Sequence, residues 1–320
     1  MQAGHEQTGE ASRLMTQAGP LLLTRKAPAK LNLRLRVGAK NSSPLHTILS
    51  VVVDLDLADE VQFFGSEGGF AVTCDDQRIR AAENLVDRAS RALGRSLPAV
   101  RVHVRKRIPL QAGLGGGSAD AAAALLGIAH LLAAHGSPVP THQVEAAAAQ
   151  TGSDVTACLH PGLKIVAGTG NKVRPQSGSL PDWGIVLLKP AASMATAEAY
   201  ELLDSVRAHS TADQLVRALP DAAESQLAET MCAAVLRAKF ERFCTLMHND
   251  FQDVVERAHP EIADARQRLA AAGAAATILC GSGSCVAGFF ETAVAARAGA
   301  DDLRLRPGEW SAVTRMDSSG

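Results

Sequence analysis

The chain has 320 residues, with 32 Lys+Arg against 33 Asp+Glu and 47% hydrophobic residues, enough apolar side chains for a sizeable core in roughly two domains. A formal net charge of −1 provides no overall field to draw in nucleic acid or an anionic membrane. With 8 Phe, 2 Trp and 1 Tyr, platforms for stacking unpaired bases are few, so neither nucleic acid nor membrane is expected as a partner.

Residues 1–20 carry His5, Glu6 and Glu10 where a secretory signal wants basic residues, and the apolar run at 21–23 is too short for its core. This stretch is read as a disordered leader. Residues 31–37 alternate strictly, placing Leu31, Leu33, Leu35 and Val37 on one face and Asn32, Arg34 and Arg36 on the other, which predicts a half-buried strand. After a loop at 41–44, the β-branched run 48–57 predicts a second strand paired antiparallel with the first. Val100, Val102 and Val104 interleave with Arg101, His103 and Arg105 in a third, which Pro109 to Gly117 cannot continue.

An Ala/Leu-rich helix is expected over 118–132, with Ser118 or a neighbouring glycine as its cap and Asp120 in its first turn. Its apolar stretch, 121–134, is interrupted by Gly127 and His130 and falls short of the ~18–20 residues of a membrane span. It is read as a buried helix. A helix at 141–150 ends at Gly152, and Gly152-Ser153-Asp154 is read as a turn. Strands follow at 163–167 and 184–188, separated by a Gly/Pro-rich linker at 169–179. That linker places the domains at 21–172 and 173–320.

The second half predicts helices at 196–206, 233–240, 249–258, 261–272 and 293–298, and strands at 275–279 and 286–290 joined by the tight Gly281-Ser-Gly-Ser284 turn. Both halves mix helix and strand without a solenoid repeat, so the expected class is α+β, in two layered domains. Six cysteines stand at 74, 158, 232, 244, 280 and 285 with no CxxC pair, which fits a reducing, cytoplasmic location.

The most informative segment runs from Pro109 to Asp120, PLQAGLGGGSAD. Glycines before a helix start let the backbone pass close to a ligand, and the unpaired amides there make an anion site. The plain alternative is a tight connection. A Walker A loop is excluded, because no lysine precedes the serine: after Lys106 the next is Lys164. A dinucleotide fingerprint fits poorly, since residues 108–112 separate the loop from its strand and residues 134–138 supply no ribose-binding acid.

Pro109 to Asp120 matches the Pro-x-x-x-Gly-Leu-Gly-Gly-Gly-Ser-x-Asp motif, and by it the chain resembles the GHMP kinases. The resemblance extends to residues 27–33, to His46 and residues 54–60, to Gly152-Ser-Asp-Val155, to Asn249-Asp-Phe251 and to Gly281-Ser-Gly-Ser-Cys285. It is greatest to the branch that phosphorylates the 2-hydroxyl of 4-diphosphocytidyl-2-C-methyl-D-erythritol in isoprenoid synthesis. It implies two domains, each a mixed or antiparallel sheet packed with helices, with the active site in the cleft between them, and a monomer or homodimer that uses ATP with Mg²⁺.

The same resemblance implies that Asp154 is the catalytic carboxylate with Lys30 beside it, a pairing suited to phosphoryl transfer. Pro109, Gly113, Leu114, Gly115, Gly116, Gly117 and Ser118 become the nucleotide site, Ser118 also a contact for Mg²⁺. Asn32, Leu45, His46, Thr196, Tyr200, Gly281, Ser282 and Gly283 become the site for the cytidine diphosphate-linked substrate. Two residues depart from the pattern: Leu45 stands where the family has tyrosine, leaving one face of the base aliphatic, and Thr156 stands where it has proline, which predicts a looser turn after Asp154. Other alcohols of mevalonate or homoserine type, and a non-catalytic nucleotide-binding regulator, remain competing readings.

Overall fold

The structure, a computed structural model, describes residues 19–40, 45–79, 84–208 and 221–318. The expected leader up to residue 18 and the loop at 41–44 lie outside them. The described residues form two compact units: those within 19–27, 59–107 and 117–155 in the first, and those within 28–58, 108–116 and 156–318 in the second.

In the first unit, strand β4 (Val100–Arg105) lies between β3 (Ala71–Cys74), parallel to it, and the end of β2 (His46–Gly65), antiparallel to it. Alternation sends Val61 and Phe63 of β2 and Val102 and Val104 of β4 into the core. Helix α1 (Leu85–Ala92) is capped by the Asn84 side chain, which accepts from the Val86 amide, and it packs against α3 (Thr141–Thr151). Helix α2 (Gly116–Ala134) is the buried centre of this unit. Gly127 is needed there: a Cβ at that position would lie 2.1 Å from Cζ of Phe63.

Helix α2 starts two residues earlier than expected, at Gly116. Of the caps expected, Ser118 is excluded because it lies inside the first turn, which leaves a neighbouring glycine; Asp120, expected in that turn, lies beyond it and is buried. At 19 residues the helix meets the length and composition of a membrane span, which the interrupted stretch 121–134 did not suggest. Its apolar surface is taken up by the protein, with 61% of its most apolar window buried inside.

In the second unit, β1 (Leu21–Lys40) runs parallel to the two-residue β8 (His248–Asn249), and the start of β2 pairs antiparallel with β5 (Lys164–Gly168). The expected linker instead carries β6 (Lys172–Pro175), which folds back antiparallel on β5. A separate four-stranded sheet has the order β11 (Trp310–Thr314), β7 (Gly184–Lys189), β10 (Val286–Phe290), β9 (Ala276–Leu279), antiparallel throughout. Ile185 and Leu187 of β7 join a core with Leu31, Leu33, Val51 and Val53. Val186 and Leu188 face a second core with Phe251, Ile262 and Leu269. A strand covered on both faces reads as a continuous apolar run, as GIVLLK does.

The strand at Leu31–Val37 is likewise buried on both faces. Arg34 on its polar side is only 8% exposed; its guanidinium donates to Glu224 Oε2 at 2.7 Å and to the Leu246 carbonyl at 3.0 Å. The remaining helices of this unit are α5 (Thr196–Ala208), α6 (Ala222–Leu236), α7 (Phe240–Leu246), α8 (Gln252–Ala258), α9 (Pro260–Ala271) and α10 (Ala293–Asp302). Asn249, expected in a helix, belongs to β8, and the helix expected at 233–240 is split between α6 and α7.

Candidate active site

Strand β1, the loop before α2 and the turn between β9 and β10 bring three sequence-distant segments together in the second unit. Lys30 is buried, its amide donates to the Leu114 carbonyl at 2.9 Å, and its Nζ donates to Asn32 Oδ1 at 2.8 Å. The other end of the Asn32 amide donates to Ser50 Oγ at 2.8 Å, and Ser50 donates to the Arg34 carbonyl at 2.8 Å. This chain of bonds fixes the amide orientation and aims the lysine. Asn32 is thus a buried member of a polar network rather than a solvent-facing strand residue.

The two glycine turns close on this lysine. Gly115 takes φ +68°, and a Cβ there would lie 2.7 Å from Cγ of Lys30. Gly113, at φ +73°, abuts the other turn so closely that a Cβ would lie 1.8 Å from the Cys280 carbonyl oxygen. Gly281, at φ +52°, would place a Cβ 2.8 Å from the Gly113 oxygen and 3.2 Å from Lys30 Nζ. Only glycine satisfies both the left-handed backbone and the contact. Amides of Ser284 and Cys285 donate to the carbonyls of Gln111 and Ala112, at 3.2 and 3.3 Å, tying the turns together.

Leu114 is buried between these glycines, and Pro109 stands in the loop ahead of them. Gly116, Gly117 and Ser118 open helix α2, so their amides lack intrahelical acceptors and stay available to an anion. Ser282 Oγ and Thr196 Oγ1 are 3.1 Å apart, which joins the second turn to the start of α5. Gly283 takes φ +94°.

Asn249 and Ser50 were not singled out by the sequence as site residues. The Asn249 side chain donates to the carbonyls of Leu279 and Gly281, at 2.8 and 2.7 Å, while its oxygen accepts from the Phe251 amide at 2.9 Å. It shapes the second glycine turn, and its one sequence signal was membership of the Asn249-Asp-Phe251 match.

His46 begins β2, buried, and the ring of Tyr200 on α5 stacks on it with centroids 4.7 Å apart and 23° between planes. Phe251 meets Tyr200 edge-on at 4.8 Å. Nε2 of His46 is 2.8 Å from Asp204 Oδ1, a residue the sequence did not mark. Leu45 beside it is 54% exposed.

In the first unit, Asp154 is exposed in the first turn of the short helix α4 (Ser153–Cys158), where a turn was expected. Val155 beneath it is fully buried. Thr156, expected to loosen this point, is a buried helical residue whose hydroxyl lacks a hydrogen-bond partner. The segment is regular helix through position 156, where threonine keeps the backbone N–H that proline would lack.

Also in the first unit, Asp120 closes the motif by meeting the buried Lys106 ammonium at 2.6 Å, and Asp59 bonds the same ammonium from the other side. Burial drives the Asp120 carboxyl up, to about 7; Lys106 opposes this and the like charge of Asp59 adds to it. Folded Asp120 therefore holds a proton that the unfolded chain, near its ordinary 3.8, has already released. The stability this supplies is complete at low pH and is lost as pH rises from about 4 to about 7. Denaturant unfolding at about pH 5 and pH 8 tests this: Asp120→Asn is expected to flatten the decline seen in the wild type, and an unchanged slope refutes the assignment.

Among the described residues no cluster of three or more His, Cys, Asp or Glu could cage a metal ion. Ser118 is partly exposed in the first turn of α2.

Residues 79–162 match the model of the GHMP kinases N terminal domain, and residues 231–306 that of the GHMP kinases C terminal domain. The chain is similar to a 4-diphosphocytidyl-2-C-methyl-D-erythritol kinase of Solidesulfovibrio magneticus, with 36% identity over 82% of this chain and 86% of that protein. The same kinase of Shouchella clausii is 31% identical over 83% of this chain and 85% of its own length. A crystal structure of 4-(cytidine 5'-diphospho)-2C-methyl-D-erythritol kinase superposes with a TM-score of 0.69 at 27% identity, covering 92% of this chain and all of that one.

Proposed function

The chain belongs to the 4-diphosphocytidyl-2-C-methyl-D-erythritol kinases, within the GHMP kinases, and from that premise we propose that it transfers the terminal phosphoryl group of ATP to the 2-hydroxyl of 4-diphosphocytidyl-2-C-methyl-D-erythritol, a step in isoprenoid precursor synthesis. The observation that carries this reading is the junction of Lys30 with the Gly113–Gly115 and Gly281–Gly283 turns, in a chain similar to those kinases along most of its length.

In this reading the amides of residues 113–118 hold the nucleotide phosphates, which need oriented N–H donors rather than a Walker lysine. Pro109 and Leu114 hold the loop in shape. Asp154 orients the substrate hydroxyl and takes its proton, and Lys30, aimed by Asn32, supplies positive charge as the phosphoryl group moves. Mg²⁺ carried on the nucleotide would add charge neutralisation, with Ser118 as its protein donor. His46 bonds the base edge, Tyr200 gives one stacking face and Leu45 an apolar one. Thr196, Ser282 and the glycines at 281 and 283 line the substrate beyond it. The enzyme is placed in the cytoplasm, as a monomer or homodimer that needs neither membrane nor nucleic acid.

The deciding experiment compares ADP release with the cytidine substrate, mevalonate and homoserine. The cytidine substrate is expected to exceed the other two in kcat/KM by about 10³-fold or more, because the smaller alcohols leave the base site unfilled. Preference for either small alcohol, which the aliphatic Leu45 would favour, overturns the substrate assignment. ADP release with none of the three points to a regulator that kept the phosphate loop.

A further inference from the structure

Two residues of one helix hold His46. Tyr200 lies on the face of its imidazole and Asp204, four residues on and therefore on the same side of α5, takes its Nε2. A carboxylate has no hydrogen to give, so Nε2 must carry the proton. In the neutral ring Nδ1 is then a lone-pair acceptor. Among the described residues no hydrogen bond to Nδ1 is present, which leaves it as the ring atom whose hydrogen-bonding capacity is unused.

We infer that Asp204 is a positioning residue that sets the base preference of the nucleoside-diphosphate substrate. By fixing the proton of His46 on Nε2, it makes Nδ1 an acceptor that takes the exocyclic amino group of cytosine and meets the equivalent carbonyl of uracil lone pair to lone pair. The inference rests on the function proposed above and adds a selector to it. A base bonded in the plane of the imidazole would lie roughly parallel to the Tyr200 ring, since the two planes differ by 23°. One helix face thus supplies both the stacking surface and the charge that decides which base edge is read. The exposed aliphatic Leu45 adds contact area without polarity, so discrimination between the bases falls to the histidine.

The test measures kcat/KM for the cytidine substrate and its uridine diphosphate counterpart in the wild type, Asp204→Ala and Asp204→Asn, together with the ¹⁵N resonances of His46. The wild type is expected to prefer the cytidine compound and to hold His46 as the Nε2–H tautomer. Both variants are expected to lower the cytidine-to-uridine ratio about tenfold or more, chiefly through KM, because an unmatched buried polar contact is worth a factor of that order. Asp204→Asn is expected to fall furthest, since its amide can donate to Nε2 and move the proton to Nδ1.

An Nδ1–H tautomer in the wild type overturns the inference whether or not the variants fold. So does an unchanged base ratio in both variants while the wild type turns over the cytidine compound, which leaves the function proposal standing. A wild type that phosphorylates neither compound overturns the function proposal and this inference with it.

Discussion

The Asp154→Asn variant is expected to turn over about 10²–10⁴-fold more slowly than the wild type while binding an ATP analogue unchanged. An amide keeps the size and polarity of the side chain but cannot accept the hydroxyl proton, so the loss falls on kcat. The competing role for this residue is that of an acid in the first turn of a helix, where α4 places it. Removing such an acid costs about 0.3–1 kcal/mol of stability and nothing in rate. The two roles differ by orders of magnitude in one measurement, ADP release under saturating substrates, with thermal melting as the control. A variant that melts slightly earlier but turns over normally assigns Asp154 to stabilising the first turn of α4 and removes it from the mechanism.

Legibility of the fold followed local pattern. Strict alternation at 31–37 placed the middle of β1, but its first half, with Pro28 among Thr24, Arg25, Lys26 and Lys30, has no period and was invisible. The same alternation misjudged burial, because the partners that let Arg34 be buried, Glu224 and the Leu246 carbonyl, lie 190 and 212 residues away in sequence. The break between α6 and α7 went unread because it is made by Ala238 at φ 50°, a conformation that sequence punctuation normally marks with glycine. Strands β3 and β11, four and five residues long, carry no distinctive run and owe their existence to pairing with β4 and β7.

The candidate site was legible where the proposed chemistry calls for rare residue patterns, as in the glycines of both turns. It was opaque where an ordinary residue supports another. Asp204 looks like any acid on a helix surface, Ser50 like any strand serine, and Asn249 like a helix residue until the structure shows both ends of its amide in use.

Lys30→Met is the second substitution expected to act on rate far more than on folding. Methionine fills much of the volume of the lysine stem and leaves Asn32 still bonded to Ser50, so the packing loss is small, while Asn32 Oδ1 loses its Lys30 donor at a cost of about 1–3 kcal/mol. In the proposed mechanism Lys30 is the fixed positive charge where negative charge builds up, and removing it is expected to lower kcat by about 10²–10³-fold. Gly115→Ala sharpens the assignment, since its Cβ would sit 2.7 Å from Cγ of Lys30 and must push that flexible side chain aside. It is expected to lower kcat in the same direction by less, with the charge retained but displaced. Gly113→Ala separates position from folding: its Cβ would strike the Cys280 backbone oxygen, which no rotamer change relieves, so its loss should appear as a lowered melting temperature. If Gly115→Ala and Lys30→Met both melt early and keep the wild-type kcat, the lysine is a packing residue. If they fold normally and slow in the predicted order, its position, and not merely its presence, sets the rate.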